Sequence, residues 1–423
     1  MTIKIADAGL KQEIGQLGFA AITLNGLIGG GIFALPALVA AKAGAFSPLL
    51  FLLSGALFMT IVLSFARLSR HFVHTGGPSV YVTAAFGPFF GFQTGWLLYL
   101  GRITAMAANA NLMIAYLLWF FPGLNGDWSR ATIVVTVIAS LTAVNYVGVR
   151  QGLSAVLALS VLKLLPLALL LVVGLSHLSP LIVRDVVWPT PVTMSESMLL
   201  IFYAFVGFES GVINAGEGKK PQRDIAQAII KAVVFTALLY FMIQWLAISV
   251  VANLGGSEQP LAAVARALLG DWGGGLIAFC AIVSILGNLS SVMIAAPRMS
   301  FAMARDHTLP AWFADIHPRF ATPANSIIFV GLLSAVLAVS NTFIYLAIMS
   351  TLVRLVGYIG CIASLSRLEK QGVPRRHYLI PLVAILTCMW LMSFVSLPAW
   401  LTLAAFSVCG SVLYWVTRRH EKN

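Results

Sequence analysis

The chain has 423 residues, of which 60% are hydrophobic and only 9% are charged. Soluble globular domains are usually about 45–50% apolar and about 25% charged, so this composition excludes a soluble enzyme, a disordered chain and a disulfide-stapled secreted domain. A net charge of +12 would by itself favour a nucleic-acid partner. Whether it reflects such a partner or the topology of a membrane protein depends on where the charges lie along the chain.

Hydrophobic runs follow one another along the whole chain, and twelve of them suit a membrane-spanning helix of about 20 residues. Breakers such as Pro221, Pro323 and Pro374 fall between the runs. The N-terminus lacks the features of a cleaved signal peptide, so the first run is expected to stay as a span. Spans one to twelve are predicted at residues 14–40, 45–66, 89–120, 130–148, 153–176, 195–216, 225–252, 273–303, 324–340, 344–366, 378–395 and 399–417.

The positive charges lie mostly on one side of the membrane that the predicted spans would cross. With twelve spans both termini lie on one side of the membrane, and most of the 26 lysines and arginines fall on that side. The other side holds Lys42, Arg130, Arg184 and Arg266. The positive-inside rule therefore predicts cytoplasmic N- and C-termini. We expect the membrane to be a bacterial inner membrane. Topology explains the net charge, so we expect contact with membrane lipid and no nucleic-acid partner.

Ionisable side chains inside the spans are few: Arg102, Lys163, Glu209 and Arg354. Such groups are costly in hydrocarbon and indicate functional positions. The sequence has no phosphate-binding glycine loop, no paired carboxylates and no His/Cys cluster. We therefore expect no enzymatic activity, no metal and no cofactor.

Spans one and six contain glycines that predict interrupted helices. Span one carries Gly26 and the run 29–31, and span six carries Gly207 and Gly211 around Glu209. Unwound backbone at membrane depth must be buried in protein or line a wet cavity. Its free N–H groups suit a carboxylate, and its carbonyls suit an ammonium. Close packing of small residues is the alternative. Interruptions at matching places in two halves indicate a transporter site.

These motifs resemble those of the amino acid–polyamine–organocation (APC) superfamily. The Gly29–Phe33 run with Leu35-Pro36 is similar to its first-helix motif, and Phe205–Ser210 to its sixth-helix motif. Residues 76–81 and 217–225 resemble two of its loops. The resemblance implies an all-α polytopic membrane protein of the LeuT-type fold, with twelve helices, a 5+5 inverted repeat and helices 1 and 6 broken. The single domain, 1–423, would comprise repeats at 13–176 and 195–366 and two accessory helices at 378–417.

The resemblance also implies a binding site for an amino acid. The N–H groups of residues 29–31 would hold the α-carboxylate, and carbonyls around Leu27, Tyr203 and Val206 the α-amino group. An aromatic side chain of span six would act as a gate, with core packing as the alternative. The predicted substrate-binding residues are Leu27, Ile28, Gly29, Gly30, Gly31, Arg102, Met106, Phe202, Tyr203, Phe205, Val206 and Gly207.

Lys163 is predicted to act in coupling. Its position resembles that of a lysine in sodium-independent family members, where the ammonium takes the place of a sodium ion. Burial also disfavours the charged form of an amine, which makes Lys163 a candidate proton carrier. The alternative is that its stem snorkels to the cytoplasmic interface.

The buried arginines bear on substrate choice. Resemblance to the arginine/agmatine exchanger of the superfamily puts Arg102 and Met106 near the substrate side chain, where a guanidinium would repel cationic substrates. The alternative is that Arg102 and Arg354 pair with Glu209 or with helix carbonyls and only hold the helices together. Glu209 is a candidate gate. Secondary candidates are Asn288, Ser291 and Arg354.

The sequence thus predicts a secondary amino acid transporter that works by alternating access, without sodium, through proton coupling or as an antiporter. Neutral or acidic substrates are favoured over cationic ones. An exporter, or a polyamine or cationic amino acid antiporter, is the alternative within the family. A channel and a non-transporting scaffold are more remote alternatives. As for partners, a homodimer is one possibility.

Overall fold

The computed structural model describes residues 14–72, 77–148, 153–179, 188–213, 215, 218–369 and 378–420. Within these ranges the regular structure is helical, apart from an isolated bridge between Ile14 and Gly218. Several sequence predictions lie outside the described residues: Gly76 and Glu217 of the two loop motifs, Arg184 of the outer side, and both chain ends.

Each predicted hydrophobic run coincides with a helix or with a pair of half-helices. The α-helices are α1 (Gln16–Leu27), α2 (Gly31–Ala43), α3 (Ser47–Leu68), α4 (Pro78–Phe86), α5 (Pro88–Leu117), α6 (Asp127–Val147), α7 (Leu153–Gly174), α8 (Pro191–Phe205), α9 (Glu209–Ile213), α10 (Pro221–Val250), α11 (Pro260–Arg305), α12 (Ala324–Ser340), α13 (Phe343–Leu368), α14 (Leu379–Met392) and α15 (Leu397–His420).

Many of these helices are long and apolar enough to cross a membrane. Seven stretches in the described ranges meet that condition: Gly31–Leu68, Asp127–Val147, Ser160–His177, Pro221–Val250, Pro260–Arg305, Phe343–Leu368 and Leu397–Arg419. Helices α8, α12 and α14 are apolar but shorter. The protein is therefore an all-helical polytopic membrane protein, and the count of twelve spans and the inverted repeat stay predictions.

The structure adds two features to the sequence-based boundaries. Helix α4 occupies residues expected to be a loop. It begins at Pro78 after Gly77 and ends at Phe86 before Gly87, and both glycines have positive φ. Helix α11 begins at Pro260, well before the predicted residue 273, and turns sharply at Gly270, whose φ is +72°.

Helix α5 lies at the centre of the molecule. Most of its residues are buried, and it packs against α13, α11, α4 and α12. Helix α10 packs against α3 and α1, while α6 buries only Val134 and Ile138. Because α6 exposes most of its apolar surface, it lies at the periphery, where lipid would cover it.

The two interrupted helices touch at their breaks. Helix α1 ends at Leu27 and α2 begins at Gly31, while α8 ends at Phe205 and α9 begins at Glu209. A Cβ at Gly26 would lie 2.5 Å from the carbonyl oxygen of Gly207, and Gly207 has a φ of +112°. This close approach of backbone to backbone requires glycine at both positions.

Substitution at this contact is expected to destabilise the protein. Gly207→Ala adds a methyl group against the Gly26 backbone and places a non-glycine residue in a disfavoured conformation, which alone costs about 1–3 kcal/mol. Thermal unfolding of the detergent-solubilised protein would measure the loss. Gly123→Ala is the matched control, since a Cβ there meets nothing within 4 Å. Equal stability of the two variants would contradict the close packing of the breaks.

Candidate functional site

The first break exposes helix ends within the apolar core. The chain is non-helical at Ile28–Gly30, where the glycine run predicts an interruption. Ile28 has φ −86° and ψ 80°, and the N–H of Gly29 donates to the Leu27 carbonyl at 3.0 Å. The first N–H groups of α2 have no partners within their own helix, as at any helix start. This break therefore offers N–H donors and the positive end of the α2 dipole.

The second break carries its own carboxylate. Residues 206–208 are non-helical, and the N–H of Gly207 donates to Oε2 of Glu209 at 3.0 Å. The Glu209 side chain thus satisfies a backbone donor that the break frees. The last carbonyls of α8 point toward the break and carry the negative end of the α8 dipole.

Tyr240 on α10 joins the two breaks. Its hydroxyl donates to the Leu27 carbonyl at 3.0 Å and lies 3.4 Å from the Ala204 carbonyl. One buried hydroxyl therefore contacts the last turns of α1 and α8. The Leu27 carbonyl, predicted to hold a substrate amino group, already has a donor. Sequence reasoning missed Tyr240, whose only signal is a polar atom in the middle of an apolar span.

The Lys163 ammonium is hydrogen-bonded at the end of α1. It is only 3% exposed, and its Nζ donates to Asn25 Oδ1 at 2.7 Å and to the Ile28 carbonyl at 3.2 Å. The Asn25 carbonyl lies 3.5 Å away. The ammonium thus contacts the break itself and does not snorkel to the interface.

Two amides and a hydroxyl from three helices form a hydrogen-bonded chain beside the first break. Asn109 of α5 donates to Oδ1 of Asn288 at 2.8 Å and accepts from the Tyr203 hydroxyl at 2.9 Å. A Cβ at Gly30 would collide with Asn109, and one at Gly29 would lie 3.0 Å from Asn288. Asn109 therefore joins α5, α8 and α11 directly against the first break.

Ser291 lies near the same break. Its hydroxyl accepts from Asn25 Nδ2 at 3.3 Å and donates to the Gly287 carbonyl at 2.9 Å. Asn25 therefore connects the Lys163 ammonium to α11. The two secondary candidates on α11, Asn288 and Ser291, both lie beside the first break.

A buried ion pair holds the second break to its neighbours. Arg354 Nε lies 3.2 Å from Glu209 Oε1, and Tyr358 donates to Glu209 Oε2 at 3.1 Å. Arg354 also donates to the carbonyl of Gly101 at 2.8 Å. The pair thus links α9 to α13 and α5. This geometry is the pairing weighed as an alternative for Arg354.

The three aromatic candidates separate into two groups. Phe202 and Phe205 are fully buried and pack against Phe58, with centroid distances of 5.2 and 5.4 Å. Tyr203 instead faces the first break and meets the Phe343 ring edge-on at 5.8 Å. Of the three, only Tyr203 is placed to contact a molecule between the breaks.

The side chains around the breaks are almost completely covered. Val206 and Asn288 keep 8% and 9% exposure, and Met106 and Leu289 keep none. Two surface depressions, of about 420 and 450 Å³, lie away from the breaks and are lined by residues such as Trp119 and Asn253. The breaks are therefore nearly closed to solvent, and Met106 is fully buried.

Comparison with known proteins bears on this arrangement. A family model described as amino acid permease matches residues 14–417. An uncharacterized transporter of Mycobacterium tuberculosis is 30% identical over 423 residues, covering 97% of this chain and 92% of the relative.

Two relatives with named substrates come from Bacillus subtilis. The serine/threonine exchanger SteT is 27% identical over 89% of this chain and 88% of its own. The branched-chain amino acid permease BcaP is 24% identical over 98% and 95%. The family consists of transporters and not of enzymes, and its model covers nearly the whole chain. The chain belongs to the amino acid permease family of the APC superfamily.

Proposed function

We propose that this chain is a secondary active transporter that moves amino acids by alternating access. It works without sodium, through proton coupling or exchange, and favours neutral or acidic side chains over cationic ones. The proposal includes the LeuT-type arrangement of twelve helices, with inverted repeats at 13–176 and 195–366 and accessory helices at 378–417. The chain lies in a bacterial inner membrane with both termini in the cytoplasm.

The observation that carries the proposal is the contact of two interrupted helices at Gly26 and Gly207. Helix ends offer partial charges of both signs without a net buried charge. A zwitterion has matching groups: its carboxylate suits the N–H groups of residues 29–31, and its ammonium suits carbonyls near Tyr203 and Val206. The Leu27 carbonyl would take part only if Tyr240 released it.

Lys163 supports independence from sodium. Its ammonium occupies the carbonyl of Ile28 and the amide oxygen of Asn25, which are the oxygen ligands that a small cation would need. A resident positive charge repels a second cation at this place. The same amine, buried at the first break, is the candidate for carrying a proton when the break moves.

The polar contacts suggest how the molecule moves. In the rocking mechanism α1, α2, α3, α8, α9 and α10 move together against the remaining helices. The Gly26–Gly207 contact and the Tyr240 hydroxyl lie within the moving group. The Glu209–Arg354 pair runs from the moving group to the static one, so it would act as a latch between the two groups.

The relatives support amino acids as the substrate class, since their names give serine, threonine and branched-chain amino acids as substrates. An exporter or a cationic antiporter of the same family is the alternative. Two positive side chains, Arg102 and Arg354, against one buried carboxylate disfavour a cationic substrate.

Transport by the purified protein in liposomes is the direct test. We expect saturable amino acid uptake that a counter-substrate inside the vesicles accelerates and that is unchanged when potassium replaces sodium. A competition panel at two pH values separates proton coupling from exchange. Non-saturable flux would indicate a channel, and no flux of any amino acid would indicate a scaffold; either result contradicts the proposal.

Removing the amine at the first break should strongly reduce transport. Lys163→Ala leaves the Ile28 carbonyl and Asn25 without their buried donor, so we expect uptake and exchange to fall by about tenfold or more, the effect of losing a charge-assisted hydrogen bond worth about 1.5–3 kcal/mol. Lys231→Ala is the matched control, because Lys231 is an exposed lysine on α10. Unchanged exchange by Lys163→Ala would remove the residue from the mechanism.

Breaking the latch should destabilise the closed form. Glu209→Gln leaves Arg354 without its ion-pair partner, and removing one partner of a buried pair costs about 3–5 kcal/mol. Glu209→Gln/Arg354→Gln should recover part of the thermal stability. The control is Glu196→Gln, whose pair with Lys42 is exposed and worth about 0–1 kcal/mol. A Glu209→Gln protein as stable as Glu196→Gln would refute the latch.

A further inference from the structure

The buried charges around the second break do not balance. Glu209 is the acceptor for three donors, namely Arg354 Nε, Tyr358 and the Gly207 N–H. Among the ion pairs of the described residues, Glu209 pairs with Arg354 and none includes Arg102. Two guanidinium groups therefore face one carboxylate, which leaves one positive charge without a direct counter-ion in the interior of the protein.

That charge is on Arg102, and its hydrogen bonding is sparse. Arg102 is 92% buried, since its exposed fraction is 8%. In the described part of the chain Arg102 makes one side-chain hydrogen bond, from Nη2 to Ser210 Oγ at 3.5 Å. A guanidinium has five N–H donors and cannot lose its proton in a protein. A buried, permanently charged group with so few partners needs an anionic or strongly polar ligand.

Arg102 lies beside the contact between the two breaks. Its Nη2 donates to Ser210 Oγ at 3.5 Å, and that oxygen lies 3.4 Å from the position that a Cβ on Gly26 would take. Arg102 and Asn109 are seven residues apart on α5, which puts them on one face about 10 Å apart along the axis. Asn109 contacts the first break, and Arg102 contacts Ser210 just past the second.

We propose that Arg102 binds the side-chain carboxylate of the substrate, and that the substrate class is acidic amino acids. The inference rests on the proposed function, in which the α-carboxylate binds at residues 29–31. A second carboxylate pointing along α5 toward Arg102 balances the buried charge and takes up the free guanidinium donors. A neutral side chain leaves that charge uncompensated, and a cationic one adds to it.

The arrangement also fits the latch. Arg102 donates to Ser210, which lies next to Glu209 on α9, so Arg102 is within the same cluster as the Glu209–Arg354 pair. A carboxylate bound to Arg102 lowers the net positive charge that this cluster has to hold. Arg102 is thus a specificity-determining residue. A carboxylate bound to it changes the charge of the cluster at which α9 contacts the static helices.

The test is counterflow in proteoliposomes loaded with glutamate. For the wild type we expect glutamate and aspartate to compete with labelled glutamate, and glutamine to compete far less. Arg102→Gln should weaken glutamate competition by about 30-fold or more, the usual effect of removing one partner of a buried charge pair, while glutamine competition is kept or improved. Arg130→Gln, on the peripheral α6, is the control and should behave as wild type.

The outcomes separate this inference from the proposed function. If the wild type exchanges neutral amino acids but not glutamate or aspartate, the transporter assignment stands and the role of Arg102 is wrong. If Arg102→Gln lowers glutamate and glutamine competition equally, Arg102 is structural and the inference is again wrong. If no amino acid is exchanged, both fail.

A second measurement does not depend on any variant. Glutamate should raise the thermal unfolding midpoint of the purified wild-type protein more than glutamine does at the same concentration, because ligand binding to the folded state stabilises it. Chloride is the competing source of negative charge. If chloride alone gives the same stabilisation and removes that of glutamate, a free anion occupies Arg102 and the inference is overturned.

Discussion

The structure depends on one constraint: backbone N–H and C=O groups inside lipid have to find partners within the protein. A continuous helix is the simplest way to pair these groups, but two helices are interrupted in the middle. Nearby groups pair several of the backbone atoms that the interruptions free. The Gly26 and Gly207 backbones lie against each other, Tyr240 donates to Leu27, and Glu209 accepts from Gly207. What these contacts leave unsatisfied at the start of α2 faces the space in which we place the substrate.

Polar and aromatic contacts both join the helices proposed to move to the static ones. The polar contacts are Lys163 with Asn25, Tyr203 with Asn109, and Glu209 with Arg354. Aromatic contacts to α13 accompany them, such as Phe208 with Tyr358. Directional hydrogen bonds can be exchanged for other partners, whereas the close-packed glycines within the moving group cannot separate without a void. The glycine contact is therefore the part of the site that we expect to stay together during rocking.

Much of the architecture followed from the sequence because lipid imposes long apolar runs, and because closely spaced glycines at membrane depth favour an interrupted helix. The positions of the breaks at residues 28–30 and 206–208 were predictable for that reason. Helix α4 and the early start of α11 were not, because short helices beside the membrane have no hydropathy signal distinct from a loop. Tyr240 and Asn109 were also missed as site residues, since one polar atom in an apolar span does not reveal which neighbour it faces.

The pairing of the buried charged side chains could not be predicted from the sequence either. The sequence identified Arg102, Lys163, Glu209 and Arg354 as costly groups in the spans, but it could not say how they pair. Pairing is set by the packing of α5, α9 and α13, which no local pattern encodes. The structure brings Arg354 to Glu209 and Lys163 to the first break, and among the described residues it gives Arg102 one long hydrogen bond.

The central claim is that backbone groups at two helix breaks bind the amino acid itself. A cryo-electron microscopy structure in lipid nanodiscs, with a transported amino acid at saturating concentration, measures this directly. The account predicts ligand density between Gly30 and Val206, with its α-carboxylate about 3 Å from the N–H groups that begin α2. Density at another place, or continuous helices through residues 28–30 and 206–208, would contradict it.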